Sequence, residues 1–358
     1  MLDKPLEKGH FLKRPDCVRW FFYPLAPRGR LGLSLGAIIN SVFAAAKGAS
    51  LGGLRVFTAT SGQGLLYAHE VLHAIAHMRL PIVACNVGRP SFPWNIWCDH
   101  SDSMSQRDTG WIQFYSESSQ EALDTVIQSY KIAEELNLPV LVMIDAFYQS
   151  HTSENVWLPD IKSVDAFLPS RKSNNNSIET NNPKAFGGLV PPKFYDHFNQ
   201  LFWKDINKVE ELTNQVGKHY ENHFGRNYGA VESVNISGKT KMVLVTVGTI
   251  TSTIRGIINN HPEVGLLKIR LFKPFPKKSV QKALKNLSPD CAIINIDRNF
   301  MGNNEGAMMQ EMKHALYGTN FPMYNVYAGL GGKDVSASTI EQIIKKSTKS
   351  DHAVFWAD

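Results

Sequence analysis

From residue 54 the chain alternates short apolar runs with helical stretches: "LRVFTATS", "GLLYAHEVLHAIAHM", "LPIVACNV", "SQEALDTVIQSYKIAEELN" and "LPVLVMIDAF". Parallel strands cannot be joined by a tight turn; they need a crossover, and helices between β-rich runs supply it. The run "LPVLVMIDAF" lacks polar alternation, as a strand covered on both faces should. A second alternation runs through "KMVLVTVGT", "STIRGIINN", "VGLLKIRLF", "KKSVQKALKNL", "CAIINIDRN", "NEGAMMQEMKHALYG", "PMYNVYAG" and "ASTIEQIIKKST". The expected fold class is α/β with two doubly wound domains, and Thr249, Thr251 and Ser252 bring hydroxyls to a helix start in the second.

Between the two alternations, residues 151–238 lose the rhythm. "SRKSNNNSIETNNPKAFGGLVPPK" is rich in Asn, Ser, Gly and Pro and reads as an extended excursion. Beyond it Phe202, Ile206, Val209, Val216 and Tyr220 recur at helical steps and predict one long amphipathic helix. The expected division is a first domain over 1–155, a linker with a long helix over 156–238 and a second domain over 239–358. A length of 358 residues suits two such domains, each with its own core.

Hydrophobic residues make up 43% of the chain and charged ones 20%, which suits a folded globular protein. The net charge of +6 comes from dispersed lysines without zinc-finger spacing or an RNP-like motif, so it reads as a solvated surface and not a nucleic-acid site. Cys17, Cys85, Cys98 and Cys291 are scattered with no CxxC, which argues against disulfides, zinc or an iron-sulfur cluster on this chain and fits a reducing cytoplasm. "RGRLGLSLGAIINSVFAAAKG" begins too far into the chain for a signal peptide and is shorter than the roughly 20 apolar residues of a span. It reads as a buried or amphipathic helix, with no membrane partner. The Asn-x-Ser triplets at Asn175 and Asn235 then carry no glycan.

The segment "WNIWCDHSDSMSQRDTGWIQFYS" sets Asp99, His100, Asp102 and Arg107 among Trp94, Trp97, Trp111 and Phe114. Asp99, His100 and Asp102 could chelate a divalent ion, but the helical HExxH pair is absent. There is no GxSxG elbow, no GxGxxG after the first strand and no GxxxxGK[ST]. "TATSGQGLL" is a Gly-containing turn opening a helix, which could hold an anion or simply turn the chain. "VACNVGRP" delivers Arg89 to the carboxyl end of a strand, where α/β sheets bind ligands and a guanidinium suits a carboxylate; an ion pair would serve it equally.

"GGLRVFTATSGQGLLYAHEVLHAIAHMRLPIV", "RPSFPWNIWCDHSDSMSQRDTGWIQFYSESSQEALD", "LPVLVMIDAFYQSHT", "VDAFLPS", "HFGRNYG", "GLLKIRLFKPFP", "IDRN" and "YAGLGGKDVS", in this order, resemble the α subunits of pyruvate:ferredoxin oxidoreductase and its sister 2-oxoacid:ferredoxin oxidoreductases. The resemblance covers roughly residues 48 to 340. It implies a thiamin diphosphate pyrimidine-binding domain followed by a transketolase C-terminal-like domain. It also implies oxidative decarboxylation of a 2-oxoacid, with pyruvate the expected one or a branched-chain acid the alternative, using coenzyme A and ferredoxin as co-substrates.

The implied thiamin diphosphate is shared with a β subunit. The resemblance further implies Mg²⁺ and [4Fe-4S] clusters on partner subunits, including a ferredoxin-like γ subunit, in a cytoplasmic hetero-oligomer. Arg89 matches the family arginine that meets the substrate carboxylate. Thr60, Ser61 and Gln63 fall on the cofactor-proximal loop, and Asp99, His100, Asp102, Arg107 and Thr109 are expected to form a buried network shaping the cleft and its subunit contact. Aromatic walls would exclude water and strengthen those pairings.

The beginning of the chain departs from the family. Counting back from Gly48-Ala49-Ser50 places Ile39 where the family has a glutamate that bonds the aminopyrimidine, and no glutamate occurs between Glu7 and Glu70. "YPLAP" at 23–27, set against the family's corresponding turn, carries Ala26 in place of a substrate-contacting threonine, and its closeness to "GAS" leads us to expect the first domain to lack a strand and a helix. The expectation is a catalytically impaired or non-catalytic assembly subunit, or a disrupted beginning, and an exposed sheet edge.

Overall fold

The computed structural model describes residues 39–171, 177–179, 181–300, 302, 305–347 and 354–357. Cys17, "YPLAP" with Ala26, and Asn175 lie outside the described residues. The first described element is helix α1 (Ile39–Leu51), where a buried or amphipathic helix is expected. Its Phe43 is fully buried and meets Trp111 edge-on at 6.0 Å. Among the described residues no helix is long and apolar enough to cross a membrane.

The first sheet is built from β1 (Val56–Ser61), β2 (Ile82–Gly88), β3 (Ile112–Tyr115) and β4 (Val140–Asp145), all parallel in the order β1-β2-β4-β3. Two short helices, α2 (Gln63–Tyr67) and α3 (His69–His77), follow β1 where one continuous helix is read from sequence; they meet at Ala68. Helix α4 (Ser101–Met104) is a single turn in the charged and aromatic segment. That same segment contains β3, which the alternation did not reveal because it spans four residues inside a polar stretch. Among the described residues β1 is the outer strand, with Ala59 exposed, so one edge of the sheet is open.

Helix α5 (Ser119–Leu136) starts where Ser118 accepts a hydrogen bond from the Glu121 amide and stops at left-handed Asn137, φ 51°. Helix α6 (Ile161–Phe167) adds its Phe167 to the same core. The one long helix predicted in the linker is divided in two, α7 (Pro192–Ile206) and α8 (Val209–Phe224). The turn at Asn207-Lys208 preserves the three-residue step from Ile206 to Val209, so periodicity could not show the break. Helix α7 has no buried residue, whereas α8 packs Val209, Val216 and Tyr220 beside α5.

The second sheet has the order β11-β10-β9-β6-β7-β5, formed by β5 (Val231–Val234), β6 (Met242–Thr246), β7 (Val264–Ile269), β9 (Ala292–Asp297), β10 (Met323–Tyr327) and β11 (Val354–Trp356). All neighbours are parallel except β5 against β7. Helices α9 (Ile250–Ile257), α10 (Lys277–Leu284), α11 (Ala307–Ala315) and α12 (Ala337–Ser347) supply the crossovers.

The stretch "VGLLKIRLF", expected as one strand, divides at Arg270. Its first part is β7, and its second, β8 (Leu271–Lys273), pairs antiparallel with β3 of the first sheet. Arg270 is buried at the crossing. Its guanidinium lies 4.8 Å from the Phe114 ring centre and 5.3 Å from that of Tyr228, and Nη2 donates to Thr125 Oγ1 at 2.9 Å. Nη1 donates to the carbonyls of Tyr228 and Gly229 at 3.1 and 3.3 Å.

Asp124 on α5 holds the far end of the linker. Its carboxylate accepts from Tyr220 at 2.7 Å, Tyr228 at 2.9 Å and Arg226 Nε at 2.6 Å. Removing such an acceptor strands several donors at once. Asp124→Ala is therefore expected to lower the unfolding free energy by about 3 kcal/mol. Tyr220→Phe, which deletes one bond, is expected to lower it by about 1 kcal/mol. Urea denaturation midpoints of the variants check both values.

Candidate functional site

The carboxyl ends of β1, β2 and β4 lie side by side in the first sheet, and each delivers polar groups there. After β1 the chain turns at Gly62, φ 54°. A Cβ there would stand 3.5 Å from the Cβ of Arg89, so the two strand ends approach closely. The Nε of Arg89 and the hydroxyl of Thr60 are shielded from solvent and find no hydrogen-bond partner. Orphaned buried donors are costly, and a ligand with acceptor oxygens would satisfy them.

Ser61 is engaged in the fold, its hydroxyl donating to the Val87 carbonyl at 2.7 Å. Gln63 is engaged as well: its Nε2 donates to the carbonyls of Pro90 and Ser91, and its Oε1 accepts from Trp94 Nε1 at 2.7 Å. Ile39 is the first residue of α1, which has no acidic residue in its first turn.

The charged segment does not form the single network expected from sequence; its members turn to different partners. Asp102, fully buried, accepts from the backbone amides of Gly62 and Arg89 and from Asn86 Nδ2. Asp99 reaches the second domain, accepting from the Gly331 amide at 3.0 Å. His100 Nε2 lies 2.8 Å from Asp145 Oδ1. Arg107 is not joined to these groups: its Nη1 donates to the Met104 carbonyl and its Nε lies 3.8 Å from Asp108. Thr109 folds its hydroxyl onto the Gln106 carbonyl at 2.7 Å, which closes the turn before β3.

The aromatic walls also separate. Trp111 and Phe114 are buried, in two different core clusters, but Phe92, Trp94 and Trp97 are 81, 59 and 50% exposed. Exposed aromatics of this kind suit contact with another chain.

Sequence reading missed Asp145 and Arg298. Arg298 Nη1 donates to Asp145 Oδ2 at 2.8 Å, to Thr249 Oγ1 at 3.1 Å and to Cys98 Sγ at 3.2 Å. Thr249 adds its backbone amide, 3.0 Å from the same carboxylate oxygen. The available signal was position: each residue stands at or just after the end of a strand that is otherwise buried and apolar, "LPVLVMID" and "AIINIDR". Cys98, His100 and Asp145 are grouped closely enough to ligate a metal ion, all buried. The guanidinium of Arg298 already fills the cation's place between the thiol and the carboxylate.

Buried acids here are driven in opposite directions. Burial pushes the Asp145 carboxyl up, but the charges of His100 and Arg298 and the bonds from His100 and Thr249 outweigh it, holding the group below the usual carboxylate range. Burial raises Asp102 to about 6 against the bonds from Asn86 and from the amides of Arg89, Ser103 and Gly62. Burial likewise raises Asp297 to about 7, despite bonds from Met308, Asn299 and Met309. A Cβ on Gly306 would come within 2.1 Å of Asp297 Oδ2, so this acid is tightly enclosed.

An acid raised in the folded state costs stability as pH climbs through the gap between its unfolded and folded values. A depressed one, such as Asp145, loses its contribution only as pH falls below the ordinary carboxylate range. Asp297→Asn, a mimic of the neutral acid, should therefore raise the thermal midpoint at pH 8, by roughly 5 °C. The gain should shrink toward pH 5, which paired melting curves at the two pH values would reveal.

A family model described as pyruvate flavodoxin/ferredoxin oxidoreductase, thiamine diphosphate-binding, matches residues 40–218. A second, pyruvate:ferredoxin oxidoreductase core domain II, matches residues 240–340. The ketoisovalerate oxidoreductase subunit VorA of Pyrococcus horikoshii is 38% identical over 330 residues, covering 88% of this chain and 83% of the relative. The pyruvate synthase subunit PorA of Methanothermobacter thermautotrophicus is 35% identical over 324 residues, with the same two coverages of 88 and 83%. A solved 2-oxoglutarate:ferredoxin oxidoreductase from Magnetococcus marinus, with 2-oxoglutarate, coenzyme A and succinyl-CoA bound, shares the fold at a TM-score of 0.64 and 18% identity. The similarity covers 88% of this chain and 57% of that one. This α/β chain belongs to the 2-oxoacid:ferredoxin oxidoreductase family, as an α subunit.

Proposed function

We propose that the chain forms one half of a shared cleft in a pyruvate:ferredoxin oxidoreductase, with a β subunit supplying the other half. The observation that carries the reading is the pair of unpartnered buried donors, Arg89 Nε and Thr60 Oγ1, at the carboxyl ends of β2 and β1. Arg89 binds the carboxylate of the 2-oxoacid, since a planar fork matches a planar anion. Thr60 and Gln63 border the cofactor, and the exposed Phe92, Trp94 and Trp97 meet the β subunit and keep water out.

Bound thiamin diphosphate supplies the electron sink that lets the bond to the carboxylate break. The diphosphate, its Mg²⁺ and the [4Fe-4S] clusters stay on partner subunits, including a ferredoxin-like γ subunit. When present, the clusters would carry to ferredoxin the two electrons that loss of CO₂ leaves on the substrate carbon, and the thiol of coenzyme A would take up the acyl group. The free, buried thiols of Cys85, Cys98 and Cys291 accord with a reducing cytoplasm.

A second reading is favoured by one feature of the sequence: Ile39 stands where the family resemblance expects a glutamate. Losing a positioned acid-base group costs roughly 10² to 10⁴-fold in rate. In that reading the chain keeps its assembly surfaces and turns over slowly, as an impaired or non-catalytic subunit.

Reconstitution with the β and ferredoxin-like subunits tests both. Ferredoxin reduction dependent on pyruvate, thiamin diphosphate and coenzyme A is expected, with kcat/KM at least about tenfold higher for pyruvate than for 3-methyl-2-oxobutanoate; the reverse order would assign a branched substrate. Turnover comparable to that of a relative with the glutamate would remove the second reading. Arg89→Lys is expected to raise KM for the 2-oxoacid by roughly 10 to 100-fold, measured by steady-state kinetics.

A further inference from the structure

Asp102 stands where the ladder between β1 and β2 runs out. The last paired residues are Ser61 and Val87. Beyond them, the amides of Gly62 and Arg89 both turn to Asp102 Oδ2, at 3.0 and 3.1 Å. The same oxygen accepts from Asn86 Nδ2 at 2.9 Å, while Oδ1 accepts from the Ser103 amide at 2.6 Å. One carboxylate oxygen thus continues the pairing of two strands after their own hydrogen bonds stop.

The consequence concerns Arg89. Its Cβ and Cδ would lie 3.5 and 3.7 Å from a Cβ on Gly62, so the path of its side chain depends on where the Gly62 turn stands. Every neighbour of Asp102 Oδ2 is a donor, and no described backbone group replaces this acceptor at Gly62 or Arg89. Withdrawing it leaves buried donors unsatisfied and lets the two strand ends part.

We propose that Asp102 is a positioning residue of the cleft: by holding the Gly62 and Arg89 amides on one oxygen, it sets where the Arg89 guanidinium meets the 2-oxoacid carboxylate. This rests on the reading of Arg89 given above. A group misplaced by a fraction of an ångström loses much of its binding advantage, and the loss falls on the ligand it contacts. Coenzyme A does not depend on this contact.

The test compares Asp102→Ala, Asp102→Asn and Arg89→Lys in the reconstituted complex, with amide hydrogen exchange of the intact chain as a readout independent of turnover. Asp102→Ala is expected to raise KM for pyruvate by at least about tenfold, with kcat and KM for coenzyme A within about twofold. Exchange at Gly62 and Arg89 should accelerate at least about tenfold, while β4 amides keep their protection. Asp102→Asn retains a carbonyl for these donors and should give the same pattern at smaller amplitude. It also decides the matter if the alanine variant does not fold.

Unchanged exchange at both amides overturns the proposal. So does a fall in kcat and a rise in KM for coenzyme A that track KM for pyruvate, since that describes general loss of structure. If Arg89→Lys raises KM for pyruvate and the Asp102 variants do not, the Asp102 proposal alone falls. If Arg89→Lys leaves that KM unchanged, the reading of Arg89 itself is lost, and the role of Asp102 with it.

Discussion

The structure turns on the buried carboxylate of Asp145. It ends β4 of the first domain, yet its Oδ2 is held by the Thr249 amide and by Arg298 of the second, while Oδ1 faces His100. A buried anion is tolerated only when fully partnered, so the two domains cannot separate here without exposing an uncompensated charge. Gly248 makes the approach possible, because a Cβ there would lie 2.9 Å from both carboxylate oxygens. In the second sheet β6 and β9 are neighbours at the point where strand order reverses, the position at which doubly wound sheets hold ligands. The chain fills that crevice with its own aspartate, at the start of α9, where an anion is favoured.

Two further contacts follow from this docking. The amide of His100 donates to the Arg298 carbonyl at 2.9 Å, which fixes the beginning of the segment that carries Asp102. The segment after β7 leaves the second sheet to pair with β3, with Arg270 buried between Phe114 and Tyr228 at the crossing. The second domain thus holds the first at Asp145 and at Asp99. Exposed aromatics such as Phe92, Trp94 and Trp97 are what a chain acting through an interface would present.

Much of the secondary structure was legible because its causes are local. An apolar run without alternation marked β4, and the strand-helix rhythm marked β6. The family was legible too, through the segment around Asp99 to Trp111. Less legible were features in which periodicity continues across a turn, as from α7 to α8, or in which one apolar run serves two sheets, as at Arg270. The charged segment misled in its own way. Asp99, His100, Asp102 and Arg107 are near in sequence, but their side chains leave the backbone in different directions, and Arg107 turns to Asp108 and the Met104 carbonyl.

The sequence by itself determined where most strands and helices form and which family the chain resembles, because spacing and side-chain type act over a few residues. Only the tertiary structure decided which charges meet. His100 and Asp145 are 45 positions apart, and Asp145 and Arg298 are 153 apart. No local pattern couples residues at such separations; the packing of one sheet against the other does.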